Sequence, residues 1–269
     1  MIGLQLYSVR DDMNLNPLET LTQLSEMGYR NIEHAGYSEG KFYGFSPREF
    51  KNILSDLNLK MPSSHSPFNS EHWDPVNHDF TELWKKTIED AVYLEQQYLI
   101  NPSLSIEQRS SYDGLCRQLE IFNLCGELCG KSGIKFGYHN HDFEFTETFN
   151  NQTVFEIMLV KTDPSLVMFQ LDTGNCLMGG YQAIDLLKKY PDRFESIHLK
   201  DVVAANPESS EHYESTILTE GIIDLKEIID TARKNIPSVH FIIEQEHYGN
   251  STPLNCMKEN LIKFNSLII

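Results

Sequence analysis

The chain has 269 residues, 40% of them hydrophobic and 23% charged, a balance that can bury a sizeable core in water and a length that suits one α/β barrel, typically about 250 residues. Its net charge of −17 argues against nucleic acid, whose binding rests on basic faces that release counterions, and against an anionic membrane surface for the same reason. No stretch approaches the roughly 20 apolar residues of a membrane span, and no basic-then-apolar leader precedes "MIGLQLYSVR"; the expected location is cytoplasmic, with export only if a leader has been trimmed away.

Strand-like runs at 2–8, 29–35, 59–65, 96–102, 134–140, 166–172, 194–200 and 239–245 are each followed by a stretch of helical period. In chain order the clearest of these are 17–28, 46–57, 114–133, 181–190, 224–235 and 253–264, with apolar residues at i, i+3, i+4 and i+7. Pro17, Pro47 and Pro253 mark helix starts, and Gly28 and Gly133 mark stops. Cys125 and Cys129 lie one turn apart in the 114–133 stretch. With five cysteines in all, an odd count with no CxxC pair, they read as reduced core residues.

Eight strand–helix alternations predict a (β/α)₈ TIM barrel, one domain over 1–269. A doubly wound open sheet would use fewer strands and a glycine-rich first turn; no GxGxxG or GxxxxGK[ST] follows the first run.

A barrel places its active site at the carboxyl ends of its strands. Those ends carry Tyr7, Ser8 and Arg10; Glu33 and His34; Ser63 and His65; Asn101; His139, Asn140 and His141; Asp172 and Asn175; His198 and Lys200; Glu244 and Glu246. Side chains alternate between the two faces of a strand. With Phe136, Tyr138, Phe169, Leu171, Ile197, Leu199, Phe241 and Ile243 directed at the helices, His139, His141, Gln170, Asp172, His198, Lys200 and Glu244 point to the barrel axis. One histidine closing a strand is most often a hydrogen-bonded wall residue, "DTGN" alone is a common turn and "EQE" alone a charged rim. Their joint occurrence with matching parity points to one divalent ion, Mn²⁺, Mg²⁺, Co²⁺ or Zn²⁺, held by His139, Asp172, His198 and Glu244.

The combination "GYHNHDFEF", "LDTGN", "IHLKD" and "IIEQE", opened by "IGLQLYSVRD", resembles the sugar phosphate isomerase/epimerase family of xylose-isomerase-like TIM barrels over essentially the whole chain. The resemblance implies metal ligands at the ends of strands five to eight, carried over to Asp172, His198 and Glu244. At strand five relatives often have a glutamate that doubles as a base. Here His139 takes that place, as in barrels similar to inosose dehydratase, with Glu144 as the rival. The superfamily includes ketose 3-epimerases, hydroxypyruvate isomerase, inosose dehydratase, dehydroshikimate dehydratase and endonuclease IV. The last needs further histidines for a multi-zinc cluster, and Asn175 stands where it has one.

The expected function is a metal-dependent sugar, ketose or cyclitol isomerase or epimerase of carbohydrate metabolism, working by α-proton abstraction through a metal-stabilised enediolate. Alternatives are a dehydratase of a keto-sugar or keto-cyclitol and a non-catalytic sugar-binding barrel. Glu244, His141, Glu144 and Lys200 are the expected catalytic groups, Lys200 either facing a substrate oxyanion or pairing with Asp201 at the surface. Glu33, His65 and Trp73 are the expected substrate contacts, Trp73 and Phe68 lying in a loop that reads as a lid or an anchor. The last βα loop, "HYGNST", has no lysine or arginine, which favours an unphosphorylated sugar. Barrels of this kind are often dimers or tetramers, so a homo-oligomer is expected by analogy. The segment 219–229 is read as structural.

Overall fold

The strand runs are rich in branched and aromatic residues, and the helices between them carry strong start signals. In α1 (Pro17–Met27) proline sits in the first turn, the Asn16 side chain accepts from Glu19 N–H, and Gly28 closes the helix at φ 111°. In α2 (Pro47–Asp56) Ser46 and Glu49 form a reciprocal capping box. The remaining outer helices are α3 (Glu82–Tyr93), α4 (Tyr112–Lys131), α5 (Val154–Lys161), α6 (Ala183–Lys189), α7 (Leu225–Asn235) and α8 (Pro253–Leu267). The computed structural model describes residues 2–268 other than 208, 210, 211 and 237.

Among the described residues, eight strands close into a parallel barrel in chain order: β1 (Ile2–Gln5), β2 (Asn31–His34), β3 (Lys60–His65), β4 (Tyr98–Asn101), β5 (Lys135–His139), β6 (Val167–Asp172), β7 (Phe194–Leu199) and β8 (His240–Ile243). β1 pairs with both β2 and β8, which completes the ring. The first and last runs are shorter than the sequence predicts. The Gln5 side chain accepts from Tyr7 N–H and starts a 3-10 turn over Leu6–Val9, while 244–248 leave the ladder after β8. No helix among the described residues is long and apolar enough to cross a membrane.

Two cores follow from the strand alternation. Phe136, Tyr138, Phe169, Leu171, Ile197, Leu199, Phe241 and Ile243 are buried between barrel and helices, with Trp84, Phe122, Phe155 and Phe264 from the helix layer. Inside the barrel, Tyr98, Ile100 and Met168 form a small apolar layer. Gly137 is the gap into which Met168 fits, since a Cβ there would stand 2.4 Å from its sulfur. Above that layer, toward the carboxyl ends, the interior turns polar. Cys125, Cys129, Cys176 and Cys256 are buried as free thiols, and Cys116 is half-buried.

Candidate functional site

Strand register brings the polar residues together. His139 lies beside Gln170 across β5 and β6, and Asp172 beside His198 across β6 and β7. His198 lies beside Ile242 of β8, so Glu244 stands one inward position higher on the same wall. One ligand atom from each of His139, Asp172, His198 and Glu244 lies within 4.8 Å of the others, and all four residues are buried.

The site is a tight set of opposed charges. His198 Nδ1 is 2.8 Å from Glu244 Oε2, and its Nε2 is 2.6 Å from Glu33 Oε1. Burial alone would lower the His198 pKa, but Glu33 and Glu244 raise it to about 10. Burial would raise Glu33 in turn, yet His65, His198 and the Ser63 hydroxyl bring it down to about 2. Lys200 Nζ lies 3.1 Å from Asp172 Oδ2, 3.4 Å from Glu244 Oε2 and 3.0 Å from Glu246 Oε1. Burial disfavours its charge, and the three carboxylates more than restore it. Glu244 is held well below the usual carboxylate range: burial opposes this, and Lys200 and His198 outweigh it. Asp172 is pushed up to about 7, chiefly by burial, with Lys200 opposing and Glu244 adding to the rise.

The residues fit a divalent cation. Asp172 Oδ2 is buried without a hydrogen-bond partner; Lys200 approaches it closely but not along a hydrogen-bond direction. Its other oxygen caps the short helix Thr173–Met178 by accepting from Asn175 N–H at 2.7 Å. His139 Nε2 stands 3.9 Å from the same Oδ2, while His139 Nδ1 is engaged by Gln170 at 2.9 Å. An imidazole nitrogen facing a carboxylate oxygen that accepts no hydrogen bond is a donor pairing that suits a metal ion. The four donors are two imidazoles and two carboxylates, a borderline set.

A cavity of about 570 Å³ opens beside the group, with Arg10, Asn175, Lys200, Tyr213, Glu246 and His247 in its wall. This size suits a small ligand. Arg10 donates to Tyr248 Oη at 3.0 Å and lies 4.7 Å from the Tyr7 ring centroid.

The other residues singled out by sequence divide into two groups. His65 reaches the barrel axis, with its ring centroid 4.8 Å from His139 and 5.3 Å from His198. His141 is half-buried, 5.2 Å from His139 by ring centroids, with Nδ1 unpartnered. Its imidazole is held below its ordinary pKa by burial first and Lys200 second. Lys200 is buried in the group and is not at the surface with Asp201. The Asp201 carboxylate instead accepts from the backbone N–H groups of Thr219, Gly221 and Ile223, which ties down the 219–223 turn. Glu144 is turned away from the four clustered residues: it accepts from Tyr138 Oη at 2.5 Å and from His141 N–H at 2.8 Å. Trp73 lies in a short hairpin, with ring contacts to His78 and Phe80. Phe68 is a loop anchor, buried edge-on against Trp84.

Sequence reasoning gave no role to Gln5, Gln170 or Ser196, which bond to Glu33 or to one another under the site. The available signal was parity, because Gln170 precedes Asp172 by two residues on one strand and so shares its face.

Residues 21–264 match the family described as Xylose isomerase-like TIM barrel. An inosose dehydratase of Geobacillus kaustophilus is 33% identical over 155 residues, 58% of this chain but 42% of the relative's own length. The chain thus spans less than half of that relative. A sugar phosphate isomerase/epimerase of Parabacteroides distasonis superposes with a TM-score of 0.80 at 27% identity, covering 96% of this chain and 95% of that one. A barrel known as the IolI protein, solved with a bound zinc atom, superposes with a TM-score of 0.75 at 14% identity over 99% of this chain and 97% of its own. The match over 21–264, together with the closed eight-stranded barrel, establishes that the chain belongs to the xylose isomerase-like TIM barrel family.

Proposed function

We propose that the chain is a divalent-metal-dependent isomerase or epimerase of a sugar, ketose or cyclitol that removes a proton next to a carbonyl. The observation that carries this reading is the convergence of His139, Asp172, His198 and Glu244 within 4.8 Å at the carboxyl mouth of the barrel. These four residues would hold the ion, which when bound supplies a Lewis acid for the carbonyl oxygen. His141 stands beside the group with an unpartnered ring nitrogen and is the base we assign to the α-proton. Glu244 is the second carboxylate within reach. Lys200 offsets negative charge on the substrate oxygen and can return a proton. Return to the same carbon gives an epimer and return to the neighbouring carbon an isomer. Each acid–base group typically contributes 10²–10⁴-fold. We assign Glu33, whose Oε1 lies 2.6 Å from His198 Nε2, to holding His198. Similarity to the Parabacteroides protein supports this reading.

The same groups support dehydration if the proton goes to a departing hydroxyl. Two observations favour that second reading: an imidazole, His139, at strand five, and the similarity to inosose dehydratase.

The test is turnover of a ketose and keto-cyclitol panel in D₂O by chelated and Mn²⁺- or Co²⁺-reloaded protein. Deuterium should enter at the carbon next to the carbonyl only in the reloaded sample. Full activity after chelation, or turnover with no deuterium incorporated, overturns the mechanism. An unsaturated product absorbing in the ultraviolet selects the dehydratase.

A further inference from the structure

A closed set of polar side chains lies beneath the four ligands and takes no part in the proton transfers assigned above. Gln170 is its centre. Its Oε1 lies 2.9 Å from His139 Nδ1 and 2.7 Å from His65 Nε2. Its Nε2 donates to Glu33 Oε2 at 2.8 Å and to Ser196 Oγ at 3.0 Å. All four amide contacts are buried.

The orientation of this amide follows from Glu33. Gln5 Nε2 donates to Glu33 Oε1 at 2.8 Å and Ser63 Oγ to Oε2 at 2.6 Å. His198 Nε2 comes within 2.6 Å of Oε1. A carboxylate ringed by donors is ionised and only accepts. The Gln170 NH₂ must therefore face Glu33, so its carbonyl oxygen faces the two histidines. A carbonyl oxygen cannot donate, so the hydrogens sit on His139 Nδ1 and His65 Nε2. In the neutral imidazole the remaining nitrogen of His139, Nε2, then carries a bare lone pair directed toward Asp172.

We propose that Gln170 is a positioning residue whose single amide fixes the tautomers of His139 and His65 and so presents an unprotonated His139 Nε2 to the metal position. Glu33 bonds to Nε2 of His198, and Gln170 couples the two histidines by bonding to both Glu33 and His139. An outer group of this kind typically changes metal affinity 10–100-fold. The consequence for metal rests on the proposed function; the tautomers do not.

The test has two arms, both on the full chain. Long-range ¹⁵N–¹H spectra of metal-free, ¹⁵N-histidine-labelled protein should show His139 as the Nδ1–H tautomer and His65 as the Nε2–H tautomer. In Gln170→Leu, His139 should become a mixture of tautomers. Equilibrium dialysis against Co²⁺ should show affinity lowered about 10–100-fold in Gln170→Leu, with an altered Co²⁺ absorption band. An Nε2–H tautomer of His139 in the wild type overturns the proposal, as does a Gln170→Leu protein that binds Co²⁺ within twofold of wild type. If Gln170→Leu fails to fold, the wild-type tautomers decide the matter alone. If the wild type shows these tautomers but binds no divalent ion, the positioning role of Gln170 stands and the metal reading falls.

Discussion

At the scale of single residues, the site assigns different duties to two oxygens of one side chain. Asp172 uses Oδ1 to cap a helix and leaves Oδ2 without a hydrogen bond, near Lys200. In Asp172→Asn the cap can persist while the charge is lost. The expected result is a folded barrel with little change in its circular dichroism and a Co²⁺ affinity reduced by more than the roughly 10–100-fold typical of an outer-shell partner, read by dialysis. Glu144 presents the opposite case, a carboxyl that burial raises to about 8 even though Tyr138 and two backbone N–H groups favour its ionised form. Its ordinary pKa is 4.5, so the folded chain holds the proton more tightly than the unfolded chain. That stabilisation is complete below about pH 4.5 and is lost as pH rises through about 8, a change on the order of a few kcal/mol. Thermal melts from pH 5 to 9 should fall for the wild type and be flatter for Glu144→Gln. Parallel curves would mean that Glu144 titrates near its ordinary value.

At the scale of elements, two glycines separate packing from chemistry. Gly126 of α4 lies against the backbone before β6, where a Cβ would stand 2.3 Å from Leu166 O. Gly174, in the short helix after β6, lies against the stem of Lys200, where a Cβ would stand 2.7 Å from Cγ. Gly126→Ala should cost about 1–3 kcal/mol of stability through overpacking and leave kcat/KM per folded molecule unchanged. Gly174→Ala should displace Lys200 from Asp172 and Glu244. A misplacement of about 1 Å can cost on the order of 10²-fold, so kcat/KM should drop about 10–100-fold. Denaturant midpoints and steady-state kinetics on both variants distinguish the two effects. The short hairpins in the βα loops belong to this scale as well. Trp73 is held in one of them by His78 and Phe80, contacts that strand parity says nothing about.

At the scale of the whole molecule, Asp172 and Glu244 share Lys200 with Glu246 and are better balanced by a divalent ion, so metal binding should stabilise the fold. With free ion at 1,000 times Kd the gain is about 4 kcal/mol, and for a chain of this size Tm should rise by roughly 8–16 °C. Calorimetry with Co²⁺ and then excess chelator checks this, since the gain must reverse. Two imidazoles among the donors should also make Mg²⁺ a weaker stabiliser than Co²⁺ or Zn²⁺.

The barrel and the convergence of His139, Asp172, His198 and Glu244 on its axis were legible in the sequence because both depend on periodicity. Strand repeats of two and helix repeats of 3.6 set which face each residue takes, and parity directs His139, Asp172, His198 and Glu244 to the axis along with His141, Gln170 and Lys200. Parity identifies a face but not a partner. The sequence left Lys200 between a surface pair and a site group, and Glu144 between ligand and bystander. Packing around the barrel mouth decided both, burying Lys200 among three carboxylates and tying Glu144 to Tyr138. Gln170 shows the same division. Its inward direction follows from its place two residues before Asp172. Its bonds to Glu33, 137 residues away in sequence, and to His65, 105 residues away, exist only once eight strands have closed into a ring.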